Sequence, residues 1–163
     1  MKNQVLNNDK IKKICNRLAY QIVENSLINE KILIVGIKQK GLEISKLIIK
    51  ELKKICSNEV ILKSIEINKN DPKSSINCDL NQFDSYEKVF LVDDVLNTGK
   101  TLMYSVKKLL DYDFISIKTV VLIDRNHKRF PVKVDFKGIS LSTNYDDTVM
   151  LSIKKNSLQA IIV

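Results

Sequence analysis

The residues of this chain best equipped for chemistry sit close together, in the stretch VFLVDDVLNTGKT from Val89 to Thr101. An apolar run, Val89 to Val92, leads straight into two carboxylates, Asp93 and Asp94, and then into Asn97, Thr98, Gly99, Lys100 and Thr101. Taken alone, the Asp-Asp pair reads as an acidic turn. The residues from Asn97 to Thr101 reverse that preference. A helix is predicted from Thr101 to Leu110, and the free N–H groups and positive dipole end of a helix N-terminus attract an anion. Gly99 lets the backbone approach closely, and the Thr98 and Thr101 hydroxyls add donors. Lys100 is a cation where the helix dipole disfavours one; a bound phosphate removes the conflict. A nucleotide-triphosphate loop of the form GxxxxGK[ST] needs glycine five residues before Gly99, and position 94 is Asp, so that reading fails. Carboxylates for hydroxyls on one side, with a monophosphate cradle beside them, match a sugar phosphate.

Such a group needs a scaffold, and the chain reads as alternating strands and helices. Asp9 is placed to cap a first helix whose Ile11, Ile14, Cys15, Leu18 and Ile22 share one face, to be packed on a sheet or between subunits. Lys31 to Gly36 (KILIVG) is a strand apolar on both faces, succeeded by a helical period through Leu42, Ser45, Ile48, Ile49, Leu52 and Ile55. Glu59–Ile67, Lys88–Val92 and Ile115–Ile123 read as further strands, and the polar stretch from Asn68 to Tyr86 as loop. This alternation implies a parallel sheet with helices on both faces, where ligands bind at the carboxyl edge of the strands. Beyond Pro131, the short strands predicted at Val132–Phe136 and Val149–Ile153, closed by Leu158–Val163, read as a smaller terminal elaboration at one edge of the site.

Composition sets outer limits. With 163 residues and 44% hydrophobic content, one domain spanning 1–163 is expected. Cys15, Cys56 and Cys78 show neither CxxC nor Cys/His spacing, which excludes a disulfide-stapled module and a zinc ribbon. No apolar run approaches the roughly 18 residues of a membrane span, and MKNQVLNNDK lacks the apolar core of a signal peptide; a soluble, cytoplasmic protein with no membrane partner is expected. The net charge of +8 invites a nucleic-acid reading. Its distribution is mild, however, with 15 basic and 9 acidic side chains in residues 1–80 against 12 and 10 in the rest. Lysine supplies 24 of the 27 basic residues, and Ala occurs only twice, a skew that AT-rich codons produce without any binding function.

VFLVDDVLNTGKT closely resembles the phosphoribosyl-diphosphate signature of type I phosphoribosyltransferases. A second match, LIDRNHKRFPVKVDFKG from Leu122 to Gly138, is similar to the pyrimidine-operon attenuator proteins that also act as uracil phosphoribosyltransferases. IVGIKQKG, Ile34 to Gly41, is similar to their loop after the first core strand, and the likeness covers roughly Ile11 to Met150. The resemblance implies an α/β type I phosphoribosyltransferase fold: a mainly parallel twisted sheet flanked by helices, with a small C-terminal elaboration. It implies that Asp93 and Asp94 are catalytic and hold the ribose hydroxyls. The turn beyond Val95 and Leu96, formed by Asn97, Thr98, Gly99, Lys100 and Thr101, would bind the 5-phosphate, and Lys38, Gln39, Lys40 and Gly41 the diphosphate. Asp124, Arg125, Asn126 and His127 would lie on the base side. The implied reaction joins phosphoribosyl diphosphate and uracil to give uridine monophosphate and diphosphate, with Mg2+ as cofactor and no dedicated metal motif required. A homodimer or higher homo-oligomer is implied as well, and the apolar face of the first helix offers it a surface.

Each residue also has an ordinary reading. His127 is the only histidine, and a lone one serves equally as a surface or hydrogen-bonded residue. Lys38 and Lys40 are two lysines among 24, and Lys40 stands where an arginine is common, keeping the charge without the bidentate fork. Cys78 has no nearby histidine to make it a nucleophile. Arg125 is one of three arginines in a lysine-rich chain, which suggests a geometric need.

Four departures from the family pattern stand out. The family's mobile loop carries a tyrosine and an arginine, whereas Ile67 to Leu80 (INKNDPKSSINCDL) has neither and leaves Lys69 and Lys73 as its cations. A shortened lid predicts slow transfer or hydrolysis of the sugar diphosphate. Asn97 replaces an aromatic, Asn126 a glycine and Ser142 a proline. These departures leave two rivals to a uracil transferase: an RNA-binding attenuator sensing uridine nucleotides in the same pocket, and a transferase for another base.

Overall fold

The computed structural model of the chain describes residues 3–68, 70–81, 88–154 and 157–163. The first helix, α1 (Asn8–Glu24), comes after a short strand β1 (Asn3–Leu6). Its cap is Asn7 rather than Asp9: the Asn7 side chain accepts the Lys10 N–H at 2.9 Å, and Asp9 falls in the first turn, where a carboxylate complements the helix dipole. Ile11, Cys15, Leu18, Ala19 and Ile22 are buried on the inner face, each large one contributing about 1.5–3 kcal/mol on transfer from water. That face is therefore covered by the chain's own core: of the two packings expected for it, on a sheet or between subunits, the sheet is the one observed, and the buried face does not supply a subunit surface.

β2 (Ile32–Ile37) is buried at every position and sends Ile32 and Ile34 to one face, Leu33, Val35 and Ile37 to the other. α2 (Lys40–Ile55) comes next, then β3 (Val60–Glu66), a two-residue strand β4 (Asn77–Cys78), and the long β5 (Lys88–Leu96). α3 (Lys100–Leu109) leads into β6 (Ser116–Asp124) and β7 (Phe136–Ser140). These strands form one sheet in the order β4-β3-β2-β5-β6-β7, parallel except for β4. Helices α1 and α2 pack on the face carrying Ile32, Ile34, Phe90 and Val92, and α3 on the face carrying Leu33, Val35, Val89 and Leu91. The predicted parallel α/β sheet covered on both faces is therefore the fold observed.

From β2 the chain moves outward to β3 and β4 on one side. From β5 it moves outward to β6 and β7 on the other. The order reverses between β2 and β5, and a crevice opens at the carboxyl ends of strands flanking such a reversal.

The C-terminal region departs from the sequence expectation. Residues 132–135 are not a strand, because side chains occupy the backbone partners: Asp135 accepts the Thr119 N–H at 2.9 Å, and the Thr119 hydroxyl donates to the Lys133 carbonyl. The strand starts at Phe136 and joins the main sheet as its edge. β8 (Val149–Lys154) and β9 (Ser157–Ile162) do form the small elaboration, an antiparallel sheet that includes β1 in the order β1-β9-β8. The polar stretch after β3 is mostly irregular, but β4 pairs with β3 and Leu80 is buried, with the Tyr112 hydroxyl donating to its carbonyl. Lys69, like residues 82–87, lies outside the described residues; Lys73 is exposed beside a turn in which Ser74 N–H donates to the Asp71 carbonyl. Among the described residues, no helix is long and apolar enough to cross a membrane.

Candidate functional site

The two carboxylates are not in a turn. Asp93 and Asp94 are residues of β5 itself, 3% and 4% exposed, with Asp93 in register with Val121 of β6. The Asp94 N–H donates to Asp93 Oδ1 at 2.9 Å. Two acids buried in a strand at the reversal point of a sheet have a reason to be there beyond solubility, since burying carboxylates costs free energy unless partners hold them.

Beyond Leu96 the chain turns through Asn97 and Thr98 to Gly99, which takes φ +85° and caps α3 from the left-handed region. This glycine is required twice over: a side chain there is strained, and a Cβ would lie 2.7 Å from Val132 Cγ1. The Thr98 hydroxyl accepts the Lys100 N–H at 3.3 Å, and the Thr98 carbonyl accepts N–H groups from Arg129 and Phe130 at 2.8 and 3.1 Å. The turn is thus gripped from outside by the connection that leaves β6. It encloses a small cavity of about 70 Å³ lined by Asp93, Asn97, Thr98, Gly99, Lys100 and Thr101, among others. Lys100 has no ion-pair partner among the described residues. The start of α3, two hydroxyls and this ammonium group make the cavity suited to an anion.

The loop after β2 meets the same crevice. Lys38 and Gln39 form a turn joined by a cis peptide bond, and Lys40 and Gly41 begin α2. A Cβ on Gly41 would lie 2.6 Å from the Val92 carbonyl oxygen and 3.4 Å from Asp93 Oδ1. Lys38 Nζ stands 3.5 Å from a Glu66 carboxylate oxygen, an exposed pair worth little in stability and readily exchanged for another anion. The two segments singled out from sequence, 38–41 and 93–101, are therefore in contact at the strand reversal.

Asp124 to His127 close the far side, and their side chains are largely spent on the protein itself. Asp124, 1% exposed at the end of β6, accepts the Asn126 N–H at 2.9 Å and faces Lys128 and Lys137 at 3.4 and 3.5 Å. Burial pushes its carboxyl up, but the Asn126 N–H and the Lys128 and Lys137 ammonium groups outweigh it and hold the group below the usual value. Arg125 is 7% exposed; its Nε and Nη2 donate to Thr143 Oγ1 at 3.1 and 2.8 Å, Nη2 also to the Asp147 carbonyl at 2.6 Å, and Nη1 to Asn97 Oδ1 at 2.9 Å. Asn126 has φ +58°, which explains a glycine in relatives: asparagine is the next residue to tolerate that conformation. His127 Nε2 lies 3.1 Å from the Thr143 carbonyl, so it carries the proton there and donates. Thr143, Asp147 and Lys137 were not anticipated from sequence. They are scattered over an irregular segment and an edge strand, and the one hint in the sequence is Arg125 itself, one of three arginines in a lysine-rich chain.

The residues 1–154 match the phosphoribosyl transferase domain family. The chain belongs to that family. Similar curated proteins include the "Bifunctional protein PyrR" of Bacillus subtilis, 29% identical over 96% of this chain and 94% of the relative, and that of Pediococcus pentosaceus, 28% identical over 95% and 94%. Among solved structures, a Bacillus anthracis hypoxanthine-guanine phosphoribosyltransferase with HEPES in its active site superposes with TM-score 0.76 at 13% identity, covering 99% of this chain and 97% of that one. A Trypanosoma cruzi hypoxanthine phosphoribosyltransferase in complex with the product IMP gives TM-score 0.71 at 18% identity, covering 90% and 83%. These structures share the phosphoribosyltransferase fold with the chain, and the family supplies the chemistry within which its crevice is to be read.

Proposed function

We propose that this protein transfers the ribose 5-phosphate group of phosphoribosyl diphosphate to N1 of uracil, giving uridine monophosphate and releasing diphosphate. The observation that carries the reading is the convergence, at one strand reversal, of two buried carboxylates, a left-handed glycine turn at the start of α3, and the Lys38–Gly41 loop seated on Asp93. The turn Asn97–Thr101 holds the 5-phosphate through N–H groups, hydroxyls and Lys100. Asp93 and Asp94 accept hydrogen bonds from the ribose hydroxyls and favour the positive charge that develops at the anomeric carbon as its bond to diphosphate breaks, as in glycoside hydrolysis. Lys38 and Lys40, with the start of α2, offset charge on the departing diphosphate. Asp124–His127 border the base; with Asp124, Arg125 and His127 Nε2 engaged internally, Asn126 and His127 Nδ1 are left to meet it.

Mg2+ fits this donor set. Among the described residues, no cluster of three His, Cys, Asp or Glu side chains forms a protein cage, and Mg2+ needs none, since one or two hard carboxylate oxygens plus phosphate oxygens and waters suffice. Asp93 and Asp94 would be the carboxylates to hold it, and the bound ion would neutralise charge on the diphosphate.

Diphosphate release from phosphoribosyl diphosphate and Mg2+ tests the reading, with uracil, hypoxanthine or no base, beside an Asp94→Asn control. Uracil-dependent release lost in the control is expected. Release with hypoxanthine alone would assign a different base, and no release with any base would remove the transferase. A second reading, an RNA-binding regulator sensing uridine nucleotides in the same pocket, draws on the net charge of +8 and on the word "bifunctional" in the relatives' name. RNA retention that depends on RNA sequence and on uridine monophosphate would favour it, since lysine contacts alone are salt-sensitive and unselective. A homodimer rests on the family resemblance alone and is tested by sedimentation.

A further inference from the structure

Asn97 occupies the first position of the phosphate turn, and its carboxamide has only one partner among the described residues: Oδ1 accepts from Arg125 Nη1 at 2.9 Å. A guanidinium can only donate. Its presence fixes which end of the amide faces it, so the oxygen points to Arg125 and the NH2 group is turned the other way. That NH2 group donates to nothing among the described residues, and Asn97 is an exposed residue lining the small cavity with Thr98, Gly99, Lys100 and Thr101. Arg125 itself cannot swing away easily, because it is buried and its other donors hold Thr143 and the Asp147 carbonyl.

We propose that, within this turn, the Asn97 carboxamide is itself a contact to the ligand, its Nδ2 donating to the phosphate ester, and that Arg125 is the positioning residue that aims it. The inference rests on the phosphoribosyl reading of the site and makes it more specific. Arg125 thus serves the phosphate side of the crevice through Asn97, while Thr143 and Asp147 link it to the segment between β7 and β8. A phenylalanine at position 97 would offer no such donor and would leave the guanidinium without its acceptor.

The test uses the full chain, ribose 5-phosphate as probe, and calorimetric affinity alongside thermal unfolding. In Asn97→Asp the carboxylate still accepts from Arg125, but the two donors are gone and an anion faces the phosphate. Affinity should fall by about tenfold or more while the unfolding temperature holds or rises. Asn97→Leu should weaken binding by roughly three- to tenfold. Arg125→Lys keeps the charge and loses the fork; it should weaken binding in the Asn97 protein and have no added effect on affinity in the Asn97→Leu background. Unchanged affinity in both Asn97 variants, with the parent binding well, would overturn the donor role. An equal loss from Arg125→Lys in both backgrounds would overturn the positioning role. A parent protein that binds neither ribose 5-phosphate nor phosphoribosyl diphosphate would overturn the transferase reading itself, and this inference with it.

Discussion

Gly41 and Asp93, far apart in sequence, pack with no room for a side chain between them: a Cβ on Gly41 would sit 2.6 Å from the Val92 carbonyl and 3.4 Å from Asp93 Oδ1. The loop after β2 is thereby pressed against the carboxylate-bearing end of β5, so the proposed diphosphate and ribose subsites are set at a fixed spacing. Backbone atoms form the near wall and cannot rotate aside as a flexible side chain would.

Gly41→Ala should therefore push α2 away from β5. Overpacking of this kind costs about 1–3 kcal/mol, and the displaced loop should weaken phosphoribosyl diphosphate binding by about tenfold or more. Urea unfolding and ligand titration on the same variant check both; an alanine protein with parental affinity would show that the contact does not set the spacing.

Gly99 makes a separate demand. Its φ of +85° alone costs an L-residue about 1–2 kcal/mol, and its Cβ would meet Val132 Cγ1 at 2.7 Å. Gly99→Ala should lose both contributions, whereas adding Val132→Ala should recover only the steric share. Equilibrium unfolding of the single and double variants separates the two, and full recovery in the double variant would remove the conformational argument.

Much of this was legible in the sequence because hydrophobic period and loop position are local properties. KILIVG and the helical period after it give β2 and α2 to within a residue or so, and the order of strand, acids, glycine turn and helix places the proposed phosphate cradle. The misses are non-local. β1 has only Val5 and Leu6 as apolar residues, and its ladder partner is β9 at the other end of the chain, with Asn3 opposite Ile162. The alternation in VKVDF looks like a strand, yet the Thr119 and Asp135 side chains take the backbone groups a ladder needs. Asp93 and Asp94 read as the start of a turn because carboxylates are poor strand formers; their burial is imposed by β6 beside them. The grip of Arg125 on Asn97 and Thr143 depends on three separate loops meeting, which no spacing within one segment reveals.

The buried carboxylate of Asp124 makes stability depend on acid. Its folded value lies below the usual one, despite burial pushing upward, because of the Asn126 N–H and the Lys128 and Lys137 ammonium groups. The folded protein thus binds this proton less readily than the unfolded chain does. The contribution is complete above the unfolded value of about 4 and is lost as pH falls through the lower folded value. Asp124→Asn should cost about 1–3 kcal/mol at neutral pH, and its deficit relative to the parent should shrink below about pH 4. Urea midpoints between about pH 2.5 and 7 measure this, and a deficit that stays constant with pH would show that the charge on Asp124 is not what matters.

Cys15 offers a probe of how α1 is held. Its thiol is buried in the α1 face, and burial first, then the nearby Glu51 charge, pushes it up to about 12. The thiolate is the reactive species, so iodoacetamide at about pH 8 should leave Cys15 unmodified in the native protein, and labelling should appear only with global unfolding. The half-buried Cys78 thiol is raised too, by burial first, and Cys78→Ser should leave the proposed uracil-dependent diphosphate release intact. Mass spectrometry of peptides from native and urea-treated protein reads the labelling. Rapid native modification of Cys15 would mean that α1 detaches locally from the sheet, and with it the support that Ile11, Leu18 and Ile22 give to the strands carrying the site.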